Sequence, residues 1–229
     1  SIQYDNAFRM CFSDPNQGSA SADYIAENKL ATKVAIIYNS SDTYSSGIYQ
    51  TFATEAKAKG LDVVAAEAFT ADNKTDFSVQ IQKAKDAGAE LVFLPIYYQE
   101  ASLILAQANK AGFTPKWFGC DGMDGILDLD GFDASLAEDL MFLTPFTANA
   151  TDEATQKFVA DYKEAFGDTP IQFAADAYDC VYVIKAAAEK EDVTPDKSVS
   201  DICDALKKGM TEITYDGLTG KSITWSEDG

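Results

Sequence analysis

Leu91–Cys120 reads LVFLPIYYQEASLILAQANKAGFTPKWFGC, and this stretch decides the fold. It opens on a nearly continuous apolar run, Leu91–Ile96, of the kind buried on both faces of a sheet. Residues 98–111 then place Ala101, Ile104, Leu105 and Ala108 on one helical stripe, and Gly112 ends it. Trp117–Cys120 is a second apolar run. Two strands joined by a helix of this length are parallel, because a hairpin needs no such crossover.

The same unit recurs on both sides. Apolar runs at Val34–Tyr38, Val63–Phe69 and Leu140–Thr144 join the two above, and the five start about every 23 to 29 residues. Helices fit the intervals. In 44–59, Ile48, Phe52 and Ala56 recur at four-residue spacing before Gly60; in 76–87, Asp76 is the expected N-cap and Phe77, Ile81 and Ala84 face inward. An earlier helix over 17–29 is entered through Asp14-Pro15-Asn16. The sequence therefore predicts an α/β fold, a doubly wound parallel sheet with helices on both faces.

After Pro145 the pattern changes. Helical stretches follow at 152–166, 172–190 and 199–208 with no apolar run of strand length between them, and 213–225 looks extended. Phe158, Tyr162 and Phe166 form one apolar face, and Val181, Ile184 and Ala188 another. Such faces need a partner.

Composition narrows the function. Eighteen Lys and Arg against 37 Asp and Glu give a net charge of −19, which argues against a nucleic-acid partner. No apolar run reaches the roughly 18 residues of a membrane span. Histidine is absent, which removes the commonest general base and metal ligand. Dinucleotide, P-loop and GxSxG signatures are also absent, so no enzyme and no cofactor are expected. Asp121, Asp124, Asp128, Asp130 and Asp133 crowd one loop, but their spacing misses the EF-hand pattern and no metal is expected. Cys11, Cys120, Cys180 and Cys203 sit in apolar settings and read as buried free thiols, with Cys180 and Cys203 the one pair worth testing for a disulfide.

Open α/β sheets bind ligands beyond the carboxyl ends of their strands. Tyr44, Tyr97 and Asp121 each follow a predicted strand. Two aromatic rings and one carboxylate suit an ammonium ion beside an apolar group, through charge pairing and cation–π attraction.

The order and spacing of several short motifs carry a resemblance. Phe8-Arg9, Ser13-Asp14 and Gln17-Gly18, then Tyr44 with Gly47, Thr75-Asp76-Phe77 and Tyr178-Asp179, together resemble the leucine/isoleucine/valine-binding proteins. These are type I periplasmic solute-binding components of ABC transporters. Ser45 departs from the family pattern, which carries glycine there. The resemblance implies that Tyr44 and Tyr97 line an amino-acid site. It also implies that Asp121 pairs with the ligand's α-amino group, where relatives often carry Glu, and that Phe173 touches the ligand side chain from the other lobe.

It further implies that about a hundred N-terminal residues of the family are missing. Residues 9–144 would form the ligand-binding second lobe, with 213–229 returning to it through a strand at Ser222–Trp225, and 148–212 the helical part of an incomplete first lobe. The orphaned helices would pack on each other, be shared in a swapped dimer, or be mobile. The expected function is binding of a small amino acid, branched-chain or otherwise neutral, for delivery to an ABC permease. The alternative is a sensing receptor domain of the same fold. The implied location is extracytoplasmic, either anchored to the membrane through the missing N-terminus as a lipoprotein or free in the periplasm.

Overall fold

A computed structural model describes residues 4–227. The chain divides into two compact units, one spanning Ser13–Thr144 and the other built from the residues up to Phe12 with those from Pro145 onward.

The first unit holds a five-stranded sheet. β1 (Lys33–Asn39), β2 (Asp62–Phe69), β3 (Leu91–Leu94), β4 (Lys116–Gly119) and β5 (Met141–Phe142) lie in the order β2-β1-β3-β4-β5. Every pairing is parallel. Period-two alternation sends neighbouring residues to opposite faces. Val34, Ile36, Leu91, Phe93 and Phe118 pack with α1 (Asp14–Glu27) and α2 (Thr43–Ala58). Ala35, Ile37, Val92, Leu94 and Trp117 pack with α3 (Ser78–Asp86) and α4 (Tyr98–Lys110). This is the doubly wound α/β sheet that the strand spacing predicts.

Boundaries shift for local reasons. β3 ends at Leu94 because Pro95 has no N–H for the ladder. α1 starts at Asp14, three residues before the expected 17: Ser13 caps it by accepting from the Asn16 N–H, and a proline is tolerated in a first turn. α3 starts at Ser78, not at 76. Asp76 still serves the entry, its Oδ1 accepting from the Ser78 N–H at 3.0 Å. β2 is an edge strand, and its register with β1 slips: Val34 pairs with Val63 but Ala35 with Ala65, so Val64 bulges out of the ladder.

The second unit is helical. α5 (Glu153–Phe166) is capped by Asp152 and stopped by Gly167 at φ 75°. α6 (Gln172–Lys190) and α7 (Val199–Glu212) follow, α7 running one turn beyond the expected 208. Two small cores form, one around Phe146, Phe158, Val159 and Ala175, the other around Val183, Ala187, Met210 and Trp225. Gly209 lies against Ala187, where an added Cβ would come within 2.6 Å of the Ala187 carbonyl oxygen.

The tail differs from expectation. Residues after Ile213 form one antiparallel bridge, Tyr215 with Ile223, in place of a strand returning to the sheet. Trp225 packs instead with Phe8, Met10, Val183 and Met210, and its indole N–H donates to the Arg9 carbonyl at 2.9 Å. A large ring with one polar handle is satisfied there on both counts. Phe8–Phe12 thus belong with the helices, whereas Arg9 was the expected start of the sheet lobe; Asp228 and Gly229 of the expected tail lie outside the described residues. Asp179, fully buried on α6, fixes the same tail. Its carboxylate accepts from the Leu218 N–H (3.0 Å), the Thr219 N–H (2.9 Å) and the Thr219 hydroxyl (2.7 Å).

No disulfide forms among the described residues, and the expected candidates Cys180 and Cys203 are not bonded to each other. Only Cys120 is buried. Cys180 is exposed, because its helix presents that side to solvent, and Cys11 and Cys203 are half-buried.

Candidate functional site

Tyr44, Tyr97 and Asp121 meet at the carboxyl edge of the sheet, beside the β1–β3 boundary where the strand order reverses. Each is placed by a short connection. β1 ends at Asn39, and the Asp42 carboxylate accepts from the Tyr44 N–H at 3.2 Å, so Tyr44 stands in the first turn of α2. Ser45, the departure from the family glycine, is fully buried, and its hydroxyl accepts the Asn39 N–H at 2.8 Å. The serine thus ties the strand end to the helix start. Tyr97 is the residue before α4, and Asp121 opens a 3-10 turn, Asp121–Met123, after β4.

The geometry is tight. The Tyr44 hydroxyl donates to Asp121 Oδ1 at 2.6 Å, and the Gly122 N–H reaches both that hydroxyl (3.0 Å) and Oδ1 (2.8 Å). The rings of Tyr44 and Tyr97 stack with centroids 4.9 Å apart. A Cβ at Gly122 would fall 2.8 Å from the Tyr44 hydroxyl oxygen and 3.0 Å from the Ile96 carbonyl oxygen. Only glycine allows this approach.

Burial, then the neighbouring Cys120 and Asp121, push the Tyr44 phenol well above its ordinary range, so it stays protonated and can donate. Burial, and then the Asp42, Asp121, Asp14 and Glu100 carboxylates, raise Tyr97 in the same direction. The two tyrosines therefore differ in setting. Tyr44 is half-buried and turns its hydroxyl to the carboxylate, whereas Tyr97 stacks on it and keeps 41% of its surface exposed.

Phe173 belongs to the helical unit, on the first turn of α6, and is 41% exposed. Asp133, one of the loop acids, accepts from the Ser135 N–H and hydroxyl and caps a 3-10 turn.

Sequence reasoning does not single out two residues that shape the site. Gly122 enters it only as a neighbour of Asp121. Gln17 enters only within the Gln17-Gly18 motif, yet its Oε1 accepts the Asp121 N–H at 3.0 Å. No sequence-local feature connects positions so far apart.

The pattern that defines the periplasmic binding proteins matches residues 1–229. A Leu/Ile/Val-binding protein homolog of Brucella melitensis is 29% identical over 228 residues, 98% of this chain and 58% of that protein. The leucine-, isoleucine-, valine-, threonine- and alanine-binding protein of Pseudomonas aeruginosa is 27% identical over 210 residues, 91% of this chain and 54% of the relative. Among solved structures, the branched-chain amino-acid transporter substrate-binding protein LivJ of Streptococcus pneumoniae, in complex with isoleucine, superposes with a TM-score of 0.81. It is 28% identical and covers 95% of this chain and 59% of its own. The leucine-binding protein LivK of Thermotoga maritima gives 0.78 at 28% identity, over 96% of this chain and 61% of its own. The chain thus spans less than two thirds of the length of these relatives. With the family pattern matched from end to end and a doubly wound lobe of the same fold, this chain belongs to the periplasmic binding protein family.

Proposed function

We propose that this chain is the ligand-contacting part of an extracytoplasmic solute-binding protein that captures a small neutral amino acid, branched-chain ligands foremost, and passes it to an ABC permease. It binds and releases its ligand without transforming it. One observation carries the reading: a half-buried carboxylate, Asp121, sits beside two stacked tyrosines at the switch point of the sheet. An α-ammonium group would pair with Asp121, and the exposed face of Tyr97 would add cation–π attraction. Relatives whose names record leucine, isoleucine or valine binding support the ligand class.

The test is a thermal-shift screen of the gene product containing this chain against the twenty amino acids, followed by calorimetry on the best ligand. Asp121→Asn is expected to weaken that ligand by about 2–5 kcal/mol, as when one partner leaves a desolvated charge pair. Unchanged affinity would remove Asp121 from the site.

A further inference from the structure

We propose that Gln17 is a positioning residue that holds Asp121 in place for the ligand, a role that rests on the amino-acid-binding reading above. Gln17 is 1% exposed on α1, and its Oε1 accepts the backbone N–H of Asp121 at 3.0 Å. That N–H needs an outside partner. β4 stops at Gly119, and the first N–H groups of a helical turn have no acceptor within it.

The amide is held at a cost. Its Nε2 is buried and has no hydrogen-bond partner among the described residues, which is unfavourable for any buried donor. A methionine would fill the same space without that penalty, so what the glutamine contributes is its oxygen. A glutamate would also supply an oxygen, but it would set a second acid beside Asp121; the amide offers an acceptor without charge.

Gly18 completes the device. A Cβ there would lie 2.6 Å from the Ile48 carbonyl oxygen and 2.8 Å from the Phe52 nitrogen, so glycine lets α1 press directly on α2. α2 carries Tyr44, whose hydroxyl meets the Asp121 carboxylate. The Gln17-Gly18 pair therefore fixes both partners of that bond, the tyrosine through the packing of α1 on α2 and the aspartate through its backbone.

The test compares two probes, leucine and its desamino analogue 4-methylpentanoate, by calorimetry on the gene product containing this chain. Gln17→Met is expected to weaken leucine by about tenfold while changing the analogue by about twofold or less, because only the ammonium uses Asp121. Amide hydrogen exchange supplies a second readout: Asp121 loses protection in Gln17→Met while Val92 in β3 keeps it. Gln17→Glu, which retains the acceptor, is expected to keep the Asp121 protection and covers the case in which the methionine variant folds poorly. Equal weakening of both probes, or an Asp121 amide as protected in Gln17→Met as in the unaltered protein, overturns the assignment. If the unaltered protein binds no neutral amino acid, the proposed function falls, and the exchange measurement still decides whether Gln17 holds Asp121.

Discussion

In the sheet unit Phe52, Phe93 and Phe118 expose 1% of their surface or less, whereas in the helical unit Phe166, Val181 and Val199 expose 70%, 66% and 86%. Both units draw on helices with an apolar stripe. A central sheet gives such stripes two broad surfaces to cover, and the first unit uses both. Helices that pack on one another and on short extended segments, with no sheet among the described residues of their unit, bury less. α6 and α7 leave an open apolar cavity of about 460 Å³, walled by Met10, Val183, Ile184, Ile202, Leu206 and Trp225. An amphipathic pattern specifies a helix, but a second layer is needed to bury its face.

Three substitutions probe this contrast. The largest effect is expected at Phe93, which is fully buried and stacks on Phe52 at 4.0 Å. Phe93→Ala should cost about 3–5 kcal/mol in denaturant titration. A loss below about 1 kcal/mol would mean that the sheet is not the stable centre of the molecule.

Next comes Asp179, the polar anchor of the helical unit. Asp179→Ala strips the acceptor from the Leu218 and Thr219 N–H groups and should cost about 2–3 kcal/mol. Exchange at those two amides should accelerate while amides of β1 stay slow. If exchange at those two amides stays unchanged, the Asp179 carboxylate is not what holds the tail. The smallest effect is expected at Val181. Val181→Ser should shift stability by no more than about 0.5 kcal/mol, yet reduce any self-association seen by light scattering. A large stability loss there would show that this face is covered in solution.

Legibility in the sequence follows the same division. The sheet unit could be read because strand and helix periods differ and repeat: Leu91–Leu94 and the stripe Ala101, Ile104, Leu105, Ala108 stand where the pattern puts them. Tyr44, Tyr97 and Asp121 were findable by one rule, position after a strand, and they do meet. What each one touches is less readable. The Tyr44 hydroxyl contact and the Gln17 hold depend on how α1 and α2 pack, which involves residues tens of positions apart. The tail is the least legible part, because an extended composition at 213–225 does not say what it lies against; Trp225 packs with Phe8, Met10, Val183 and Met210.

The slip in register at Val64 has a consequence for the molecule in a crowd. β2 is the outermost strand on its side of the sheet, and its free edge would offer any passing extended chain a ready template. The bulge interrupts the regular spacing of backbone groups near the start of the strand, and Asp62 and Glu67 add charge along it. A stranger's strand could match this edge over only a few residues before falling out of step. The bulge therefore works against the addition of a sixth strand on this side of the sheet.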